Sequence, residues 1–268
     1  MTDTLSGRTA LVTGSTSGIG LAIAEALGAM GARIAVNGLA GPEERDAALA
    51  RIREAGAPEA RFFDADLRDP DAIDAMMDAV AVWGGPEIVV NNAGMQKTIP
   101  LGEFDRATWD AILALNLSAC FHTMRRAMPA MREAGFGRVI NIASVHGLVA
   151  SKDKAAYVAS KFGLVGLTRV AALEFADAGD RESGGVTVNA IGPGWVETPL
   201  IEPQIRARAE AVGGDREAGV RALLGEKQPS LRTSAPEDVA ALAAFLCTKA
   251  AHNITGVAIP VDGGWTAQ

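Results

Sequence analysis

Aromatic side chains are scarce in this chain of 268 residues, 5% in all, and Tyr157 is its one tyrosine. Acid–base work by a phenol therefore has a single candidate position. Cysteine is equally sparse. Cys120 and Cys247 are the only two, both in apolar stretches without metal-ligand spacing. That excludes a disulfide-built scaffold and predicts buried, reduced thiols and no metal site. No apolar run approaches the ~20 residues of a membrane span. The opening residues Met1 to Gly7 lack the basic and apolar regions of a secretion signal. Basic residues number 25 against 32 acidic ones, for a net charge of −7 and a pI near 5.1. This balance argues against a nucleic-acid surface and against a polybasic membrane patch. Repeats, low-complexity tracts and linkers are missing as well. The expectation is one cytoplasmic globular domain over residues 1–268 with a small-molecule partner.

What is present is an alternation of short apolar runs and longer periodic segments. Thr9–Thr13, Arg33–Asn37, Arg61–Ala65, Ile88–Asn91, Arg138–Ala143, Val186–Ile191 and Val257–Val261 read as strands nearly continuous in Val, Ile, Leu and Ala. Helices are predicted over 19–30, 43–55, 70–82, 108–133, 157–176 and 236–249, the last opened by a capping box at Ser234-Ala235-Pro236-Glu237. The order predicts an α/β fold: a doubly wound, Rossmann-type parallel sheet with helices on both faces. Residues 177–185 form a polar surface excursion. Residues 199–232, bounded by Pro199 and Pro229 and split at Gly213-Gly214, read as a small helical lid.

Tyr157 and Lys161 stand four residues apart, so on a helix they share a face. A free phenol titrates near about 10, and a cation within a few ångströms favours its ionised form. The spacing predicts a general acid/base tuned toward neutral pH. A second signal follows the first strand: Gly14-Ser15-Thr16-Ser17-Gly18-Ile19-Gly20 opens directly into a helix. Glycines there admit a pyrophosphate close to the backbone, and the helix N-terminus favours it. Asp66 after the third strand can accept from an adenine amino group. Asn92-Ala93-Gly94 after the fourth is small enough for a ribose to lie against. The second strand ends at Asn37-Gly38-Leu39, with no ribose-binding Asp at Gly38 and no base from Asn37 to Gly41 to hold a 2′-phosphate. By exclusion, with bulky Leu39, this points to NAD.

With the glycine run, Asn91-Asn92-Ala93-Gly94, Ser144 and Tyr157/Lys161 in order, the chain resembles the short-chain dehydrogenase/reductase family from Thr9 to Trp265. The resemblance implies Tyr157 as general acid/base, Lys161 lowering its pKa and binding the nicotinamide ribose, and Ser144 bonding the substrate oxygen. It implies Asn116 holding a relay water, Leu67 beside the adenine, and Pro193, Gly194, Val196 and Thr198 flanking the nicotinamide. Homotetramers are common in the family. Around the site the chain resembles, more narrowly, the bacterial D-3-hydroxybutyrate dehydrogenases. That likeness implies Gln96, His146, Lys154 and Gln204 around a carboxylate, with Trp195 and Trp265 enclosing a methyl end. Other small 3-hydroxy acids, a sugar or polyol, or a 3-oxoacyl thioester stay open as substrates. A dinucleotide sensor without turnover is the rival from another class, and the presence of both Tyr157 and Lys161 speaks against it.

Overall fold

The computed structural model describes residues 5–198 and 201–267. Its strands are β1 (Thr9–Val12), β2 (Arg33–Val36), β3 (Ala60–Phe62), β4 (Ile88–Asn91), β5 (Phe136–Ile142), β6 (Gly185–Pro193) and β7 (Ala258–Val261). They form one parallel sheet in the order β3-β2-β1-β4-β5-β6-β7. Parallel neighbours need crossovers, and helices supply them on both faces. Helices α1 (Gly18–Ala29) and α2 (Pro42–Glu54) pack on one face, with Leu21, Ile23, Leu27 and Ile52 in the core. Helix α3 (Pro70–Trp83) packs on the other, where Met76, Met77 and Val80 meet Val89 and Val139. Register sets Val12 level with Val36 and Val90. The loops after β1, β2 and β4 therefore open together at the carboxyl edge, where the strand order reverses and a crevice forms.

One predicted helix is interrupted. The stretch 108–133 is built as α4 (Arg106–Leu113), a five-residue π turn at Ala114–Ser118, and α5 (Ala119–Ala134). Such turns concentrate at functional sites. Here it carries Asn116, which is fully buried. Helix α6 (Ala155–Phe175) is long and apolar enough to cross a membrane by length and composition alone, although Lys161 and Arg169 interrupt its apolar run. It is a core helix: it packs on β6, and its buried residues include Lys161, Leu164 and Val165. Helices α7 (Glu202–Ala211) and α8 (Arg216–Gly225) form the expected helical segment, packed on each other; Pro199 lies outside the described residues. Ile201, Ile205, Leu223 and Leu224 join Val145, Trp195 and Trp265 in a separate apolar cluster. At α9 (Pro236–Cys247) the cap is Ala235 and not Ser234, with the Asp238 carboxylate accepting the Ala235 N–H at 2.9 Å. Both cysteines are buried and free.

Candidate active site

A cavity of about 400 Å³ runs along the carboxyl edge, from Leu39, Asp66, Leu67 and Arg68 at one end to Ile201 and Trp265 at the other. Its first third is built by the glycine turn. Gly14 adopts φ 61° and Gly18 φ 55°, a region open to glycine and costly for other residues. A Cβ on Gly20 would lie 2.3 Å from the Gly14 carbonyl oxygen and 2.4 Å from Asn92 Nδ2, so only glycine lets α1 seat on the turn. No acidic side chain occupies the first turn of α1, and Ser17 makes no side-chain cap. Those helix N–H groups face the cavity without a side-chain acceptor, which fits an anionic pyrophosphate. Thr16, Ser17, Gly18 and Ile19 line the cavity; Ser15 and Gly20 do not. Ser15 instead ties the turn together, donating from Oγ to the Val12 carbonyl at 2.6 Å.

At the adenosine end the structure adds what the sequence did not disclose. A Cβ on Gly38 would sit 2.8 Å from Thr16 Oγ1, so a side chain expected there in other dinucleotide sites has no room beside Thr16. Asp66 is not a free acceptor. Arg68 Nε and Nη2 donate to its two oxygens, at 3.0 and 2.6 Å, and hold the carboxyl pKa down to about 2. Arg68 itself lines the cavity, a base the exclusion argument overlooked because it lies on the third loop, not the second. The ion pair cancels its charge.

Farther along, Asn92, Ala93 and Gly94 follow β4 and line the cavity beside Leu115. Asn92 Nδ2 donates to the Thr13 carbonyl at 2.9 Å, locking this loop to β1. Asn116 stands behind it and does not line the cavity. Its Oδ1 accepts from Met95 N–H at 2.9 Å, while Nδ2 donates to the Met95 carbonyl at 2.9 Å and to Ser160 Oγ at 3.2 Å. The side chain of Asn116 thus ties the 94–96 loop to Ser160 on α6.

Ser144, Tyr157 and Lys161 meet at the middle of the cavity, the last two from the first turns of α6 as their spacing requires. The expectation that Lys161 draws Tyr157 downward is not met. Burial holds the phenol above its usual pKa, and the neighbouring Ser144 hydroxyl pulls it back in part. Lys161 Nζ donates to the Ile142 carbonyl at 2.8 Å and lies 5.7 Å from the Tyr157 ring centre. Burial lowers its own pKa to about 8. Pro193, Gly194, Val196 and Thr198 form the wall beyond the end of β6.

The far end holds Gln96, His146, Lys154, Trp195 and Trp265. Asp153 adopts φ 62°, an unusual value for a residue with a side chain, and its carbonyl accepts the Ile99 N–H at 2.7 Å. That bend turns Lys154 inward. It is 7% exposed, its Nζ lies 5.3 Å from the Trp195 ring, and burial together with the charge of Lys227 lowers its pKa. No ion pair joins it to an Asp or Glu among the described residues. His146 differs from its expected role. Its Nδ1 lies 3.1 Å from the Val149 carbonyl, which places the ring proton there, and burial brings its pKa down to about 4. With that proton on Nδ1, Nε2 of the neutral ring is left as an acceptor, and a carboxylate bound beside it would favour the charged, donating form. It stands edge-on to Tyr157 and Trp265. Gln204 sits on α7 outside the cavity lining, where Ile201 takes the place nearest the substrate end. The Trp195 indole N–H is buried without an acceptor among the described residues.

A glycine-turn cradle, a Ser/Tyr/Lys centre and an apolar far end in one cavity, on a β3-β2-β1-β4-β5-β6-β7 sheet, fit an oxidoreductase. The chain belongs to the short chain dehydrogenase family, whose model matches residues 8–209. It is 49% identical to a D-beta-hydroxybutyrate dehydrogenase of Cupriavidus necator, covering 98% of this chain and 100% of that one. It is 45% identical to a D-beta-hydroxybutyrate dehydrogenase of Rhizobium meliloti, covering 97% and 99%. The fold superposes on L-sorbose reductase from Gluconobacter frateurii, complexed with NADPH and L-sorbose, with a TM-score of 0.91 at 29% identity over 100% of both chains.

Proposed function

We propose that this oxidoreductase interconverts (R)-3-hydroxybutyrate and acetoacetate with NAD. The observation that carries the reading is Lys154, a buried ammonium in the far chamber that no described carboxylate neutralises. A buried charge without a counter-ion is costly, so the chamber is made for an anion. Its other walls, Trp195, Trp265 and Ile201, are apolar and close together, which suits a short chain. The two relatives named D-beta-hydroxybutyrate dehydrogenase support the same substrate.

Oxidation of the alcohol takes a hydride from carbon and a proton from oxygen. NAD, held by the glycine turn, Asn92, Gly94, Lys161 and Thr198, would supply the hydride acceptor. Tyr157 takes the hydroxyl proton in its ionised form, and in the reverse reduction the protonated phenol that burial favours gives it back to the carbonyl oxygen; Ser144 bonds the same oxygen so that two groups hold it in line. Lys161 supplies positive charge beside the phenol while its ammonium rests on the Ile142 carbonyl. Lys154 and Gln96 hold the carboxylate, and the two tryptophans enclose the methyl group. Anchoring both ends fixes the reacting carbon, which is where positional control acts. NAD is favoured over NADP because Asp66 neutralises Arg68, the one arginine on the cavity wall. We take residues 1–268 as one functional unit, assembled as a cytoplasmic homotetramer.

A sugar or polyol reductase is the second reading, favoured by the likeness to L-sorbose reductase. A neutral polyol would leave Lys154 uncompensated, which places it second. The test is a panel of (R)- and (S)-3-hydroxybutyrate, L-sorbose and sorbitol with NAD or NADP, followed at the reduced nicotinamide band near about 340 nm. Preference for the (R)-acid supports the reading. Turnover of polyols in preference to the acid would overturn it.

A further inference from the structure

Lys227 and Gln228, just past α8, touch the walls that close the far chamber without lining it. Gln228 is 1% exposed; its Oε1 accepts the Trp195 backbone N–H at 3.2 Å, and its Nε2 donates to the Arg232 carbonyl. Lys227 reaches the opposite way. Its Nζ donates to Ser151 Oγ at 2.6 Å and lies 5.4 Å from the centre of the Trp265 ring. Ser151 begins the short loop that ends in Asp153 and Lys154. The Trp195 and Trp265 rings are 5.7 Å apart, and Lys154 Nζ stands 5.3 Å from the former. Lys154, Trp195, Trp265 and Lys227 therefore follow one another in contact, an ammonium at each end and the two indoles between, and the 151–154 loop closes the circuit. Like charges held near each other repel, and an anion placed between them relieves the repulsion. The fields of both lysines reach His146 as well.

We propose that Lys227 is a positioning residue for the anionic end of the substrate. It clips the α7–α8 segment onto the loop that carries Lys154, backs the Trp265 wall, and adds a second positive charge behind the first. The inference rests on the anionic-substrate reading above. A charge in the second rank strengthens anion binding without touching the ligand. The dinucleotide end, on the far side of Tyr157, is untouched by it.

The experiment compares wild type, Lys227→Met, Lys227→Arg and Ser151→Ala in two assays on the full chain. Steady-state kinetics give KM for (R)-3-hydroxybutyrate and for NAD. Quenching of tryptophan fluorescence in the NAD-saturated enzyme gives the affinity for acetate, a bare carboxylate, whether or not turnover occurs. Lys227→Met should raise the acid's KM roughly three- to fivefold, less than loss of a direct charge-assisted contact, and weaken acetate to match. KM for NAD should stay within about twofold, because ground-state contacts to the cofactor are unchanged. Lys227→Arg should restore most of the loss, and Ser151→Ala, which keeps the charge, should lose less than Lys227→Met. Wild-type turnover with an unchanged Lys227→Met would overturn the positioning role and leave the substrate reading standing. Acetate binding that depends on Lys227 without turnover of the acid would do the reverse. A wild type that neither turns over the acid nor binds acetate would overturn both.

Discussion

Replacing Lys154 with methionine separates what the chamber costs the fold from what it gives the substrate. Methionine keeps the length and apolar stem and removes the charge. Losing a charged hydrogen bond in an enclosed site costs about 1.5–3 kcal/mol, or about ten- to a hundredfold in kcat/KM for 3-hydroxybutyrate. The fold should respond in the opposite sense. Burial lowers the pKa of Lys154 below its unfolded value, so the unfolded chain binds that proton more tightly. The penalty is fully present at neutral pH, where the group is charged in both states, and fades only as pH rises through the lowered value. Lys154→Met should therefore stabilise the protein by about 1–3 kcal/mol without substrate. For a chain of this size that is a rise of roughly 2–4 °C in Tm for each kcal/mol. Steady-state kinetics and thermal unfolding at pH 7 check both halves. An unchanged KM together with a lower Tm would refute the reasoning, since it would make Lys154 a structural contact.

Tyr157→Phe should fold, bind NAD with ordinary affinity by fluorescence titration and lose nearly all turnover; substantial residual activity would remove Tyr157 from the proton step. His146→Asn should flatten the acid limb of stability. With the native imidazole near 4 and the unfolded one near 6.5, the unfolded chain takes the proton first, so stability falls as pH drops through that window. The loss reaches up to roughly 3 kcal/mol at pH 4, and denaturant melts of both proteins from pH 7 to 4 should diverge by that amount. Asp66→Asn should release Arg68 and raise the NADP-to-NAD ratio of kcat/KM by roughly two- to fivefold, the scale of one exposed charge pair. A ratio that does not move would mean that Arg68 cannot reach the 2′ position.

All seven strands and both helical layers were legible in the sequence because each follows from a local pattern: apolar runs for covered strands, 3.6-residue periodicity for helices. The π turn at Ala114–Ser118 was not, since its one extra residue is demanded by Asn116 reaching the Met95 backbone, a contact between segments 21 positions apart. Gly14, Gly18, Gly94, Ser144 and Tyr157 could be placed because a backbone approach or a reacting oxygen dictates the residue type. The environments of these residues could not. Whether Tyr157 is raised or lowered depends on burial against the reach of Lys161, and His146 is decided by a carbonyl three residues on. Lys227 and Arg68 carried no motif; only the fold brings one to Trp265 and the other to the adenosine wall. Gln204 is a residue type suited to the chemistry whose place on α7, outside the cavity lining, no sequence pattern discloses.

The central claim is that the far chamber holds a carboxylate. Initial rates with (R)-3-hydroxybutyrate and its methyl ester, at equal NAD and pH 7.5 (about three pH units above an ordinary carboxylic acid), test it most directly. The account predicts kcat/KM for the free acid higher by at least about tenfold, because the ester gives Lys154 no charge to bind. Equal efficiencies would contradict it.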